Sequence, residues 1–238
     1  MWRLPPVPWL DPMLSIEERL SAFQEDVNVA ASCFYAWKSI NNLAVRDASL
    51  FQGLQRNARS WKLFIHSLLV TFVSVLGRLF DRDPRSLSAR SFICYCKANL
   101  DQFSRRAFEE RRLAENHGVR PDFLDEYLSG VYEPVAADFQ NLLDALTNLE
   151  LVYSANYQPI RHKLIAHKDT AMFGIGDSLF AKTNIGDVEN ILEVLYQVSQ
   201  VVTQFIINGR QTRLIDHKLR EEECIQRDLE SLLRKVSV

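Results

Sequence analysis

The chain has 238 residues, of which 47% are apolar and 24% charged, with a formal net charge of -2. This is an ordinary globular composition for one large domain, or one domain with an appendage. Near-neutral charge excludes a dedicated nucleic-acid coat protein but leaves room for a local cationic groove. The four cysteines, Cys33, Cys94, Cys96 and Cys224, include only one close pair, whose single-residue spacer is no zinc pattern. All four are expected to be reduced, mostly buried thiols of a cytoplasmic protein, with neither metal nor cofactor.

The first ten residues contain Trp2, Pro5, Pro6, Pro8 and Trp9 and lack the apolar run of a signal peptide. Residues 1-14 are expected to form an arm whose tryptophans pack on the domain or on a dimer mate, with a loose tail as the alternative. Ser15 and Glu18 form a capping box for a helix running to about Asp47, with Leu20, Phe23, Val27, Ala30, Phe34 and Trp37 on one stripe. A second helix is expected from about Leu50 to Phe80. Its centre, Leu63 to Leu76, is apolar on most sides and reads as a buried helix rather than a membrane span. His66 then reads as a hydrogen-bonded core histidine, with a role at the functional site as the alternative. Pro84 ends the helix after Asp81-Arg82-Asp83, a solvated turn or a set of contacts to downstream cations.

Ser86 or Ser88 caps a helix through Phe92, Ile93, Cys96 and Leu100, and residues 101-117 follow as a charged, solvent-facing helix ending at His117-Gly118. Residues 101-133 are the best candidate for an insertion into a domain spanning 15-210. Val135 to Asn156 is strongly periodic and delivers the chain to Pro159. Residues 168-186 are irregular and suit a flap or a connector. Asp187 to Asn208 is a further core helix closed by Gly209. Residues 211-238 are expected to hold an amphipathic helix for docking or dimerising.

The chemistry is concentrated in Gln158-Pro159-Ile160-Arg161-His162-Lys163-Leu164-Ile165-Ala166-His167-Lys168-Asp169. Pro159 suits the first turn of a helix. Arg161 and His167 are then about 240° apart around that helix. They converge only if the helix end unwinds or a second copy packs against the first, with Arg161 of one subunit near His167 of the other. Histidine for proton transfer and arginine for phosphate charge fit RNA cleavage, in which the 2′-hydroxyl is the substrate's own nucleophile. Lys163 and Lys168 suit flanking phosphates. On residue type alone, a solvated polar helix accounts for the same pattern.

Arg161-His162 followed by Lys163-Leu164-Ile165-Ala166-His167 resembles the signature of the HEPN superfamily (higher eukaryotes and prokaryotes nucleotide-binding). Ala166-His167-Lys168-Asp169 and Leu79-Phe80-Asp81-Arg82-Asp83 resemble its abortive-infection U branch. The resemblance implies an all-α, HEPN-like bundle of long antiparallel helices and a homodimer with the signature at its interface. It also implies metal-independent endoribonuclease activity in phage defence or toxin-antitoxin systems. By position, Arg161, His162 and His167 take the catalytic roles, while Lys163, Lys168 and Asp169 line the substrate. Asp169 stands where some toxin members carry a tyrosine. RNA is the expected substrate and an antitoxin or defence protein an expected partner, with no membrane association. A non-catalytic module binding RNA, nucleotide or protein through the same surface is the alternative.

Overall fold

A computed structural model describes residues 14-83, 85-162 and 183-236. Ser15 opens helix α1 (Ile16–Arg46): its hydroxyl accepts the Glu18 N–H at 3.1 Å and Glu18 reaches back to the Ser15 N–H at 2.8 Å. This reciprocal pair satisfies two donors that the first turn leaves free. Leu20, Phe23, Val27, Ala30, Ala31 and Phe34 lie buried along one face, as their three- and four-residue spacing predicts.

The expected second helix is two. α2 (Ala48–Arg56) is capped by Asp47, which accepts from Ser49 and Leu50, and α3 (Ala58–Leu79) starts after a break at Asn57. α3 returns antiparallel to α1, with Phe72 against Phe34 (ring centroids 5.4 Å apart) and Arg78 bidentate on Asp26 (3.1 and 2.5 Å). By length and composition α3 is the one helix among the described residues apolar enough to cross a membrane. Its second half, however, is set into the protein core: Phe72, Val73, Val75, Leu76 and Leu79 are buried.

The first half of α3 corrects the sequence expectation. Leu63 is 66% and Phe64 44% exposed, and His66 is exposed rather than a core histidine. α1 and its neighbours cover one side of this half: Trp61, Ile65 and Leu68 turn inward to a satellite core of Ile40, Leu43, Leu50, Leu54 and Leu233, and the other side stays open.

Ser88 caps α4 (Ala89–Ala98), which lies antiparallel to α7 (Ala136–Val152) through Arg90 on Glu150 and Lys97 on Gln140. Between them, a 3-10 turn at Leu100–Phe103, α5 (Arg105–Glu115) and α6 (Leu124–Ser129) build a small core of Phe108, Leu124, Leu128 and Val131. α5 is not purely solvent-facing. Arg111 and Arg112 donate to the carbonyls of Ile206 (3.1 Å) and Ile207 (2.6 Å), which end α8 (Ile185–Ile206). Such bonds satisfy carbonyls that a helix end leaves free.

α8 runs antiparallel to α1, joined by Gln24 on Thr203 and by Lys38 on Glu189. The Lys38 ammonium also meets Glu222 of α9 (Glu221–Val236), at 2.5 Å from each carboxylate, so one cation ties three helices. α9 docks on its own chain, parallel to α1, through Leu229 and Leu233 in the satellite core. The described residues are helices, turns and loops without a strand, and the fold is all-α.

Two cysteines differ from expectation. Cys96 is buried, which pushes its thiol pKa up, and Cys33 is half-buried, but Cys94 and Cys224 are exposed. All four are free thiols. In a timed reaction of the folded protein with a maleimide, mass mapping is expected to find Cys94 and Cys224 labelled first and Cys96 only on unfolding. Labelling of Cys96 at the rate of Cys94 contradicts this packing.

Candidate functional site

The site is built on the continuation of α7. Pro159 does not start a new helix there. The chain passes from Val152 through a π-helical turn, Tyr153–Tyr157, and on through Gln158–Ile160 to Arg161 and His162 with helical backbone angles. The Gln158 N–H reaches back five residues to the Tyr153 carbonyl. Proline has no N–H to give and its ring crowds the carbonyl four residues earlier. Widening the turn ahead of Pro159 relieves that crowding and keeps the helix going. The widened turn also sets the register: Tyr153, Tyr157 and Ile160 face the core, so Arg161 emerges at its edge, half-buried, and His162 faces solvent.

Arg161 lies across α3 at Gly77. A Cβ built on Gly77 would stand 2.3 Å from both Cδ and Nε of Arg161 and 2.8 Å from its Cζ. The missing side chain of Gly77 is therefore the seat of the guanidinium. Tyr153 forms the next wall. It is only 3% exposed and stacks on Phe80 at 4.8 Å between centroids, and among the described residues its buried hydroxyl makes no hydrogen bond of ordinary geometry. Burial pushes the Tyr153 pKa up; the adjacent Arg161 cation opposes that shift, and the Asp81 carboxylate adds to it. The hydroxyl and the guanidinium thus sit together, the cation favouring electron density on the Tyr153 oxygen.

Asp81-Arg82-Asp83 forms its own turn. Asp81 accepts the Asp83 N–H at 3.0 Å, and Asp83 grips Arg85 at 3.0 and 2.7 Å. The Arg85 hydrogen bonds hold the Asp83 carboxyl down to about 2. Among the described residues none of the three hydrogen-bonds Arg161. Arg82 instead donates to Ser154 at 3.1 Å, joining this turn to the π-helical one. On its far side opens a cleft of about 450 Å³, lined in part by Phe80, Arg82, Arg90, Cys94 and Glu150.

Tyr157 secures the other flank. Its hydroxyl donates to the Asn184 carbonyl at 3.0 Å and accepts the Asn184 N–H at 3.4 Å, and Asn184 caps α8. The start of α8 is thus pinned beside the turn that bears Arg161.

Of the residues expected to carry the chemistry, Arg161 and His162 are described; Lys163, His167, Lys168 and Asp169 lie outside the described residues, as do residues 1-13 and most of 168-186. Sequence reasoning missed Gly77 and Tyr153. The only signal for Gly77 was a glycine inside an otherwise apolar helical pattern, which costs helix stability and calls for a packing reason.

A family model described as AbiU2, of the HEPN group, matches residues 13–222. The chain belongs to the AbiU2 family of HEPN proteins. It is thus an abortive-infection-related HEPN module with the helical fold expected of one. No curated protein and no solved structure matches it.

Proposed function

We propose that this protein is a metal-independent endoribonuclease acting in phage defence by abortive infection or as a toxin, and that a homodimer completes its site. The observation that carries this reading is the seating of Arg161: a guanidinium held across Gly77, beside a buried hydroxyl, on the helical continuation of α7. Such a fixed, forked cation suits the charge that builds on a phosphate oxygen during cleavage.

The 2′-hydroxyl attacks the adjacent phosphorus, the bond to the 5′-oxygen of the next nucleotide breaks, and a 2′,3′-cyclic phosphate and a 5′-hydroxyl result. His167 takes the 2′ proton and returns one to the leaving oxygen, Arg161 clamps the phosphate, and His162 orients it. Lys163, Lys168 and Asp169 hold the flanking substrate.

The test is incubation of RNA in EDTA with wild type, Arg161→Ala and His167→Ala. Wild type is expected to cut, and each variant to be slower by about 10²–10⁴-fold, the range of acid–base and charge-stabilising groups. Intact RNA in the wild-type lane, or cleavage unaltered by His167→Ala, refutes it.

A further inference from the structure

From Ala48 to Phe80 the sequence contains no aspartate or glutamate, while it holds Arg56, Arg59, Lys62 and Arg78. Arg78 is neutralised by Asp26. Among the described residues, Arg56, Arg59 and Lys62 make no ion pair, and all three are exposed. A chain with formal net charge -2 thus keeps one helical hairpin purely cationic. The acid at its base, Asp47, is occupied with the α2 N–H groups.

The cations are aligned with the candidate site. At about 100° per residue, Arg59, Leu63, His66, Val70, Ser74 and Gly77 fall within an arc of about 80° on α3, with Lys62 at its margin. Gly77 is where Arg161 crosses the helix. The open side of the first half of α3 and the seat of Arg161 are therefore one face, about 27 Å long from Arg59 to Gly77. Leu68, about half a turn around from Arg59, packs with Leu229 of α9, so the tail helix leaves this face uncovered. Phe51, 48% exposed, lines a cavity with Lys62, Trp61 and Ile65 at the edge of the stripe.

We propose that this face of α3 is the path by which a single strand of RNA reaches Arg161, its phosphates on Arg59, Lys62 and His66 and its bases against Leu63 and Phe51. The inference rests on the nuclease reading and gives it a substrate class: extended single-stranded RNA. Unpaired cations in a row, with an apolar side chain among them and an aromatic one at their edge, suit sequence-tolerant single-strand binding. A second copy fits the face less well, because a two-fold contact centred on a stripe without acids sets cation against cation. A bilayer fits less well too, since the exposed Leu63 and Phe64 are about 100° apart and Phe64 turns edge-on to Trp61.

The experiment measures binding of a labelled 2′-O-methyl RNA strand, which cannot be cut, across a salt series. It compares wild type, Arg59→Ala/Lys62→Ala and a control, Arg105→Ala/Arg106→Ala, that removes two exposed cations from α5. The stripe variant is expected to bind about tenfold more weakly at low salt, with the slope of log Kd against log salt reduced by about 0.7 for each lost contact; the control stays within about twofold of wild type. Wild-type affinity in the stripe variant overturns the inference and leaves the nuclease reading standing. An equal loss in the control overturns it as well. So does loss of binding to phosphatidylserine vesicles, or of self-association, with RNA affinity kept. If wild type binds and the stripe variant does not, yet nothing is ever cut, the path stands and the nuclease reading falls.

Discussion

Replacing Gly77 by alanine is expected to slow RNA cleavage by about a hundredfold, the scale of removing one well-aimed donor from a site that stabilises phosphate charge. The new methyl group would occupy the place of Arg161 Cδ and Nε, 2.3 Å away, so the side chain must leave its seat. The atoms met are those of a long side chain and not backbone, so the methyl group can displace the arginine outward without moving the backbone. Alanine is also the better helix former, by up to about 1 kcal/mol over glycine. Stability should therefore hold or rise while activity falls, a divergence that damage to the core does not produce. Single-turnover rates paired with thermal melting read both quantities. Combining the change with Arg161→Ala isolates the cause: if Gly77 acts only by seating Arg161, the double variant is no slower than Arg161→Ala alone. A Gly77→Ala protein that cuts at the wild-type rate removes the seat from the mechanism.

What the sequence revealed of this site and what it concealed separate by distance along the chain. The capping box of Ser15 and Glu18, the Ser88 cap and the stripe from Leu20 to Phe34 were legible because their partners lie within a turn or two. The seat of Arg161 was not, because Gly77 and Arg161 meet only when α3 and the extension of α7 pack together. Pro159 was legible as a special position but not in its effect. A proline opens helices more often than it widens them, and only the burial of Tyr153, Tyr157 and Ile160 on one side decides for the π-helical turn. The exposure of His66 was hidden for another reason. Its neighbours are apolar as in a buried helix, but whether a helix is covered on one side or all round depends on how many others reach that far. Arg161 and His162 were singled out from the sequence alone, by their resemblance to the HEPN signature.

Truncating Phe139 to alanine is expected to cost about 3–5 kcal/mol, a large share of the 5–15 kcal/mol that holds a typical domain folded. Phe139 is 0% exposed in the middle of α7, its ring 5.0 Å from that of Phe103 and 5.8 Å from that of Phe205. It therefore joins three parts of the chain: the helix that carries Arg161, the 3-10 turn ahead of α5, and α8. None of these can close on a methyl group without dragging a second contact, because Phe205 is itself held by Tyr132 at 5.7 Å. The cavity should stay open, which puts the cost toward the top of the range for such truncations. Urea unfolding should show a lower midpoint with an unchanged slope, as the surface exposed on unfolding is nearly the same. Below the midpoint the folded fraction should cut RNA at the wild-type rate, since Arg161, Gly77 and Tyr153 lie more than a dozen residues further along α7 or on α3. A drop in rate per folded molecule would mean that strain at Phe139 travels along α7 into the π-helical turn, and that this turn is soft rather than fixed by its own packing.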